Sequence, residues 1–160
     1  MTQPAAQIGA ASQFPSVGRW GVTTMPRGWI YVADFGIRQM TPDTRIVAAN
    51  VSLGQDALAA PDGLTEYIKT QAKLIEGHLT DARTAGPQPM AFQGAEEAYL
   101  FFVRHHPAGA PDMLHAQTYV RVGLWVGIVT LTTPEAQLKA VRPDYDAFVR
   151  GLRILPQPGI

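Results

Sequence analysis

Short runs rich in apolar, aromatic and β-branched residues recur along this chain between turn residues, which is typical of β-strands. The clearest runs are Glu97–His106, Met113–Val122 and Leu124–Thr132, and of these Met113–Val122 alternates between a small apolar row and a more polar row. A segment rich in Pro and Gly separates the first two, and Gly123 separates the last two, so they are predicted to be hairpin-linked strands. Three further strands are predicted earlier in the chain, at Trp29–Phe35, Arg45–Leu53 and Pro89–Phe92.

Two other stretches follow the helical period. Between Leu64 and Leu79 apolar residues recur every three to four positions, and Asp62 is the expected N-cap. A second helix is predicted to begin at Pro134, an early position that proline tolerates, and Pro143 should kink it or split it in two. The order of strands, helix, hairpin-linked strands and helix predicts an α+β domain with a curved, mainly antiparallel sheet.

The predicted sheet is apolar on both faces. In the strand that begins at Glu97, residues Tyr99 and Phe101 alternate with Leu100 and Phe102, so both rows are apolar in the middle. We expect both main helices to pack on one face, which leaves the other apolar with a few polar points. An exposed patch of that kind marks a binding surface or a dimer interface. The alternative is that loops and the N-terminal segment cover it.

The composition limits the size and the class of the protein. A chain of 160 residues that is 46% hydrophobic fits one domain, predicted over residues 17–155, with a disordered segment at 1–16 and a tail at 156–160. Lys+Arg and Asp+Glu both number 13, so the basic excess typical of nucleic-acid-binding proteins is missing. The charged fraction, 16%, is low and favours a homodimer that covers weakly polar surface.

The predicted location is the cytoplasm of a bacterial-type cell. The sequence has no Cys, which excludes disulfides, thiolate metal sites and a lipoprotein anchor. Its first 15 residues lack the basic and apolar regions of a signal peptide. The longest apolar runs are too short to span a bilayer, so stable membrane insertion is not expected.

The sequence nominates no catalytic or metal chemistry. His105 and His106 are neighbours on a strand and point to opposite faces, so they do not easily share an ion, and the same reasoning discourages an acid pair at Glu96 and Glu97. Phosphate loops, dinucleotide-binding glycine motifs and nucleophile elbows are missing from the sequence. We expect a protein that is not an enzyme and takes no cofactor and no metal.

The layout resembles the DcrB-like family, which shares its fold with PsbP, and within it the Eag chaperones of type VI secretion. The resemblance implies a curved antiparallel sheet whose concave face holds the hydrophobic N-terminal helices of an effector before export, often within a dimer. It covers about residues 25–155. The matching segments are Met25–Trp29, Val51–Asp56, Tyr67–Gln71, His115–Tyr119, Thr130–Thr132 and Phe148–Leu152.

The client surface is predicted on the strand faces that the helices leave open. Gln117 can donate and accept hydrogen bonds to a client helix, and Tyr119 offers contact area and a hydroxyl. If Gln117 faces solvent, replacing it with leucine should hardly change the stability. A small-ligand or structural binding module of the same fold, without an effector, is the alternative. The predicted client-binding residues are Tyr31, Ala33, Phe35, Asn50, Ser52, His115, Gln117 and Tyr119.

Overall fold

The computed structural model describes residues 14–41, 43 and 45–157. Most of the predicted disordered segment, residues 1–13, and the end of the predicted tail, residues 158–160, lie outside the described residues. Within the described ranges, no helix is long and apolar enough to cross a membrane.

The described part of the chain forms two helices and nine strands. Helix α1 spans Leu64–His78, and helix α2 spans Leu138–Gly151 after a 3₁₀ turn at Glu135–Gln137. The strands are β1 Trp20–Gly21, β2 Trp29–Val32, β3 Gly36–Gln39, β4 Asn50–Ala57, β5 Arg83–Pro89, β6 Glu97–His105, β7 Met113–Val122, β8 Trp125–Pro134 and β9 Arg153–Ile154.

Seven of the strands form one sheet in the order β2-β3-β4-β8-β7-β6-β5, and every neighbouring pair is antiparallel. The predicted fold class, α+β with an antiparallel sheet and two main helices, is confirmed. Strand β8 lies in the middle of the sheet with β7 beside it, and residues on both faces of β8 are buried, so it needs cover on two sides.

The two helices lie on opposite faces of this sheet, so the expectation that both pack on one face is wrong. In β7, Ala116 and Val120 belong to the buried cluster that contains Phe148 of α2. Tyr119 belongs instead to the cluster that contains Ile68 of α1. Because successive strand residues point to opposite faces, the two clusters lie on two sides of the sheet. We call these sides the α1 face and the α2 face.

The predicted strand Trp29–Phe35 is a hairpin. The N–H of Phe35 donates to the Val32 carbonyl at 3.1 Å, and β3 returns along β2. Asp34 takes a positive φ of 58°, which Asp tolerates better than most residues. At Gly36, where φ is 147°, a side chain would collide with the Val51 carbonyl oxygen. The turn lacks a Gly or Pro at its centre, so nothing in the sequence interrupts the run Trp29–Phe35, which therefore predicts one strand.

Other element boundaries shift as well. The strand predicted at Arg45–Leu53 begins only at Asn50. The segment around Pro87 is the edge strand β5, and Pro89 ends this strand, whereas the sequence predicts a strand that begins at Pro89. A proline is tolerated there because an edge strand has one side without a hydrogen-bonding neighbour.

The helix starts also differ from expectation. Gly63, not Asp62, precedes the first turn of α1, and no side chain caps it. Pro134 closes β8 instead of opening a helix, and α2 continues through Pro143 without a break. Proline has no N–H, so Pro143 cannot donate to the carbonyl of Lys139 in the preceding turn. Both residues are exposed, so water can donate to that carbonyl instead.

Beside the main sheet, β1 and β9 form a two-stranded clasp that joins the two ends of the domain. Trp20 pairs with Ile154, and the Leu155 N–H donates to the Arg19 carbonyl at 2.7 Å. The Trp20 side chain is fully buried in the α2-face cluster, and its indole N–H donates to the Gly54 carbonyl at 2.9 Å. The clasp therefore closes the α2 face.

Candidate functional site

Helix α1 covers only the β5–β6–β7 side of its face. Its buried residues Leu64 and Ile68 pack in one cluster with Phe101 and Tyr119, and the cluster ends at the beginning of β8. Strands β4 and β3 contribute nothing to this cluster among the described residues. Among the described residues, no helix therefore covers the central part of the α1 face.

This uncovered centre is polar. The strand register places His115, Thr132 and Asn50 side by side across β7, β8 and β4. The next row, two residues further along each strand, holds three more polar side chains, and all six are half-buried. We call this set the polar floor; its members are Asn50, Ser52, His115, Gln117, Thr130 and Thr132.

Gln117 is held by hydrogen bonds on the polar floor. The Tyr119 hydroxyl donates to Gln117 Oε1 at 2.7 Å, and Gln117 Nε2 donates to Thr130 Oγ1 at 3.4 Å. Burial raises the pKa of Tyr119 far above its ordinary value, so its hydroxyl stays protonated and remains a donor at neutral pH. The amide of Gln117 is therefore oriented with its oxygen toward Tyr119 and its NH₂ group toward the floor.

A pair of histidines ends the polar floor. The Nε2 atoms of His105 and His115 are 2.9 Å apart, and His115 Nδ1 lies 3.0 Å from Thr132 Oγ1. The ring planes are 18° from parallel and the centroids 4.9 Å apart, so the two nitrogens face each other edge to edge. One Nε2 must donate a proton while the other accepts it. Burial lowers the pKa of His115, and the nearby His105 lowers it further, which favours the neutral ring.

His105 and His106 do point apart. His106 forms an exposed ion pair with Asp112, which raises the pKa of His106. His105 instead contacts His115, which the sequence does not predict. The contact follows from the hairpin register, in which His105 pairs with Met113 and therefore lies diagonal to His115 on the same face.

The eight predicted client-binding residues do not form one surface. Tyr31 points to the α2 face, where its ring lies 6.0 Å from that of Phe14. Ala33 and Phe35 lie in the exposed β2–β3 turn, and Tyr119 is only 1% exposed beneath α1. The misread hairpin explains the first three, and the unexpected position of α1 explains the fourth. The structure brings together Asn50, Ser52, His115 and Gln117, all on the polar floor.

An apolar cleft lies on the α2 face, opposite the predicted side. It has a volume of about 340 Å³ and runs between α2 and strands β6 to β8. At its rim, Arg142 and Asp146 form an ion pair at 3.7 Å. Its apolar walls are Leu100, Phe102, Ala116, Leu131, Leu138 and Val149.

The neighbouring acids Glu96 and Glu97 both form ion pairs with one arginine. Arg121 donates to Glu96 at 2.9 Å and to Glu97 at 2.8 Å, and this contact lowers the pKa of Glu97. The lowered pKa favours the ionised form of Glu97, which does not act as a proton donor. Elsewhere in the described ranges, no group of three His, Asp or Glu side chains is placed to hold a metal ion.

The fold is that of PsbP-like proteins. LpqN of Mycobacterium tuberculosis, involved in cell envelope biogenesis, superposes with a TM-score of 0.66 at 13% identity, covering 89% of this chain and 87% of LpqN. PA94 of Pseudomonas aeruginosa, a protein of unknown function, superposes with a TM-score of 0.60 at 20% identity, covering 89% of this chain and 100% of PA94. Cyanobacterial PsbP from Synechocystis sp. PCC 6803 superposes with a TM-score of 0.56 at 11% identity, covering 86% of this chain and 87% of PsbP. No family model and no curated protein matches the sequence. The PsbP-like part of the resemblance is thus confirmed as a fold.

The Gln117–Tyr119 contact gives a prediction that differs from the expectation for a solvent-facing residue. Gln117→Leu should lower the free energy of unfolding by about 1–3 kcal/mol, because the buried Tyr119 hydroxyl loses its acceptor. Urea denaturation measures this. In the background of Tyr119→Phe the same substitution should cost less than about 0.5 kcal/mol. Equal costs in both backgrounds would show that the contact does not stabilise the fold.

Proposed function

We propose that this protein is a non-catalytic binding module and that a segment of a client protein lies on its polar floor. The observation that carries the proposal is a polar patch in the middle of a seven-stranded sheet, on the part of the α1 face that α1 leaves open. Side chains such as Thr130 and Ser52 add nothing to a hydrophobic core. They do offer hydroxyls to a partner, and the rigid strands hold them in a fixed pattern.

An apolar helix with small polar residues fits this surface. Ile30 and Val32 of β2 lie on the α1 face at one side of the floor, and Ile128 of β8 lies at its end; all three are half-buried. They can contact the apolar side chains of a helix while the floor bonds to its Ser, Thr or Asn side chains. The resemblance to the Eag chaperones narrows the client to the hydrophobic N-terminal helices of a type VI secretion effector.

A homodimer remains part of this proposal, although one argument for it no longer applies. The two apolar rows of β6 are each covered by a helix within one chain. Any dimer must therefore be argued from other surface, such as the exposed side chains of Met40, Ile46 and Val47 between β3 and β4.

Binding of an apolar helical peptide tests the client surface. The probe should be a synthetic helix of Leu and Ala with a few Ser and Thr residues, and calorimetry should give its affinity. Thr130→Val keeps the side-chain shape but removes the hydroxyl, so it should weaken binding by about 0.5–1.5 kcal/mol, the worth of one hydrogen bond. Met90→Ala changes an exposed residue at the α2 cleft and should leave the affinity unchanged.

Three results of this comparison are informative. Loss of affinity with Thr130→Val alone supports the polar floor. Loss with Met90→Ala alone moves the client to the α2 cleft. If no peptide of this kind binds the parent protein, the client-helix proposal fails.

The α2 cleft supports the second candidate, a small-ligand module. Its volume of about 340 Å³ lies within the range of roughly 300–1,000 Å³ that is usual for small-molecule sites, and its walls are mostly apolar. Arg142 and Asp146 at the rim can fix the polar end of such a ligand. The Met90→Ala variant described above also reports on this site.

A further inference from the structure

We propose that the pocket between the end of α1 and the His105–His115 pair binds a small monocarboxylic acid with an apolar body. The pocket has a volume of about 240 Å³. Its apolar wall consists of Ile75 and Leu79 from the end of α1 together with Val103 of β6. The polar part of its lining is His105, His115 and Gln117. This site differs from the client surface in ligand class, although it shares two side chains with the polar floor.

The polar groups of the pocket can donate hydrogen bonds to a carboxylate. The oxygen of Gln117 is already engaged by Tyr119, so its NH₂ group remains for a ligand, with only a long 3.4 Å contact to Thr130. The histidine pair shares one proton between the two Nε2 atoms and can take up another. An added proton makes a cation, and a carboxylate that accepts from it supplies the opposite charge.

No described acidic residue lines this pocket to supply that charge. On α1, Glu76 accepts a hydrogen bond from Thr84 of β5 at 3.4 Å, and His78 contacts the Leu74 carbonyl. On the other side of His105, a separate cleft gathers several charged residues, of which Arg104 pairs with Glu135 and His106 with Asp112. The remaining charged members of that cleft are Asp81 and Arg83.

The apolar wall sets the size of the ligand. A volume of about 240 Å³ is below the roughly 300–1,000 Å³ of sites for drug-sized molecules, so the apolar body is a short alkyl chain or a single ring. A carboxylate on such a body reaches the histidines while the body contacts Ile75 and Val103.

Calorimetry with hexanoate and benzoate tests the proposal on the full chain. Both acids should bind, and their neutral amides should bind about 10- to 100-fold more weakly, the factor of one charge-assisted hydrogen bond. Titrations at pH 7 in two buffers of different ionisation enthalpy should show uptake of a proton, and the affinity should rise as the pH falls toward 6. Equal binding of acids and amides, or binding without proton uptake, would overturn the proposal.

Variants then place the site. His115→Asn and His105→Gln should each lower the affinity for hexanoate about 10- to 100-fold. His106→Gln alters the neighbouring exposed histidine, which does not line this pocket, and should have no effect. The acid-versus-amide comparison needs only the parent protein, so it stands if a variant fails to fold. A stoichiometric site for Zn²⁺ that depends on His115, with no binding of either acid, would assign the pair to a metal instead. Neither result bears on the client test, which uses Thr130.

Discussion

Phe148→Ala should lower the free energy of unfolding by about 3–5 kcal/mol, the largest single effect that we expect in this chain. Phe148 is 1% exposed and belongs to the cluster that joins α2 to the α2 face of the sheet. Removing the ring leaves a cavity because the surrounding strands cannot collapse into it. Chemical denaturation followed by circular dichroism measures the loss.

The control for Phe148 is an exposed residue of the same helix. Lys139→Ala lies on the solvent side of α2 and should change the stability by no more than about 0.5 kcal/mol. If Phe148→Ala falls within that same range, α2 does not pack on the sheet in the way described.

Ile68→Ala should cost about 2–5 kcal/mol on the other side of the sheet. Ile68 is fully buried and contributes to the cluster that joins α1 to Phe101 and Tyr119. The same denaturation experiment applies, with Leu74→Ala as its control. Leu74 is a leucine in the same helix that is 52% exposed, so its truncation should cost no more than about 0.5 kcal/mol.

The double variant of Ile68 and Phe148 tests the two-sided arrangement itself. Because the residues belong to separate clusters on opposite faces, their costs should add within about 0.5 kcal/mol. A large departure from additivity would mean that both helices pack against shared neighbours, as they would on one face.

The sequence predicted the central strands well. The bounds of β7 are those predicted, and β6 differs from its prediction by one residue, because a long run of strand-forming residues between turn residues is a strong signal. The helical period predicted between Leu64 and Leu79 also agrees with the burial in α1, where Leu64 and Ile68 are buried and Lys69 and Lys73 are exposed.

The candidate site was predicted only in part, for physical reasons. Periodicity tells which residues share a face but not which helix covers that face, so α1 was placed on the wrong side and Tyr119 was taken for a surface residue. A turn without Gly or Pro at its centre hid the β2–β3 hairpin, which moved Tyr31 to the other face. The His105–His115 contact depends on the register of the β6–β7 hairpin. The sequence does not show at which residues the loop of this hairpin begins and ends, so it does not fix the register.

The clasp of β1 and β9 has a consequence for biosynthesis. Its partners Trp20 and Ile154 lie at opposite ends of the domain, so they cannot pair until the whole domain has left the ribosome. Helix α1 and the strands β5, β6 and β7 that it covers are translated earlier and can associate first. Until translation reaches the end of α2, the apolar residues of the α2 face stay exposed. The nascent protein thus carries an uncovered apolar surface of the kind that general folding factors bind.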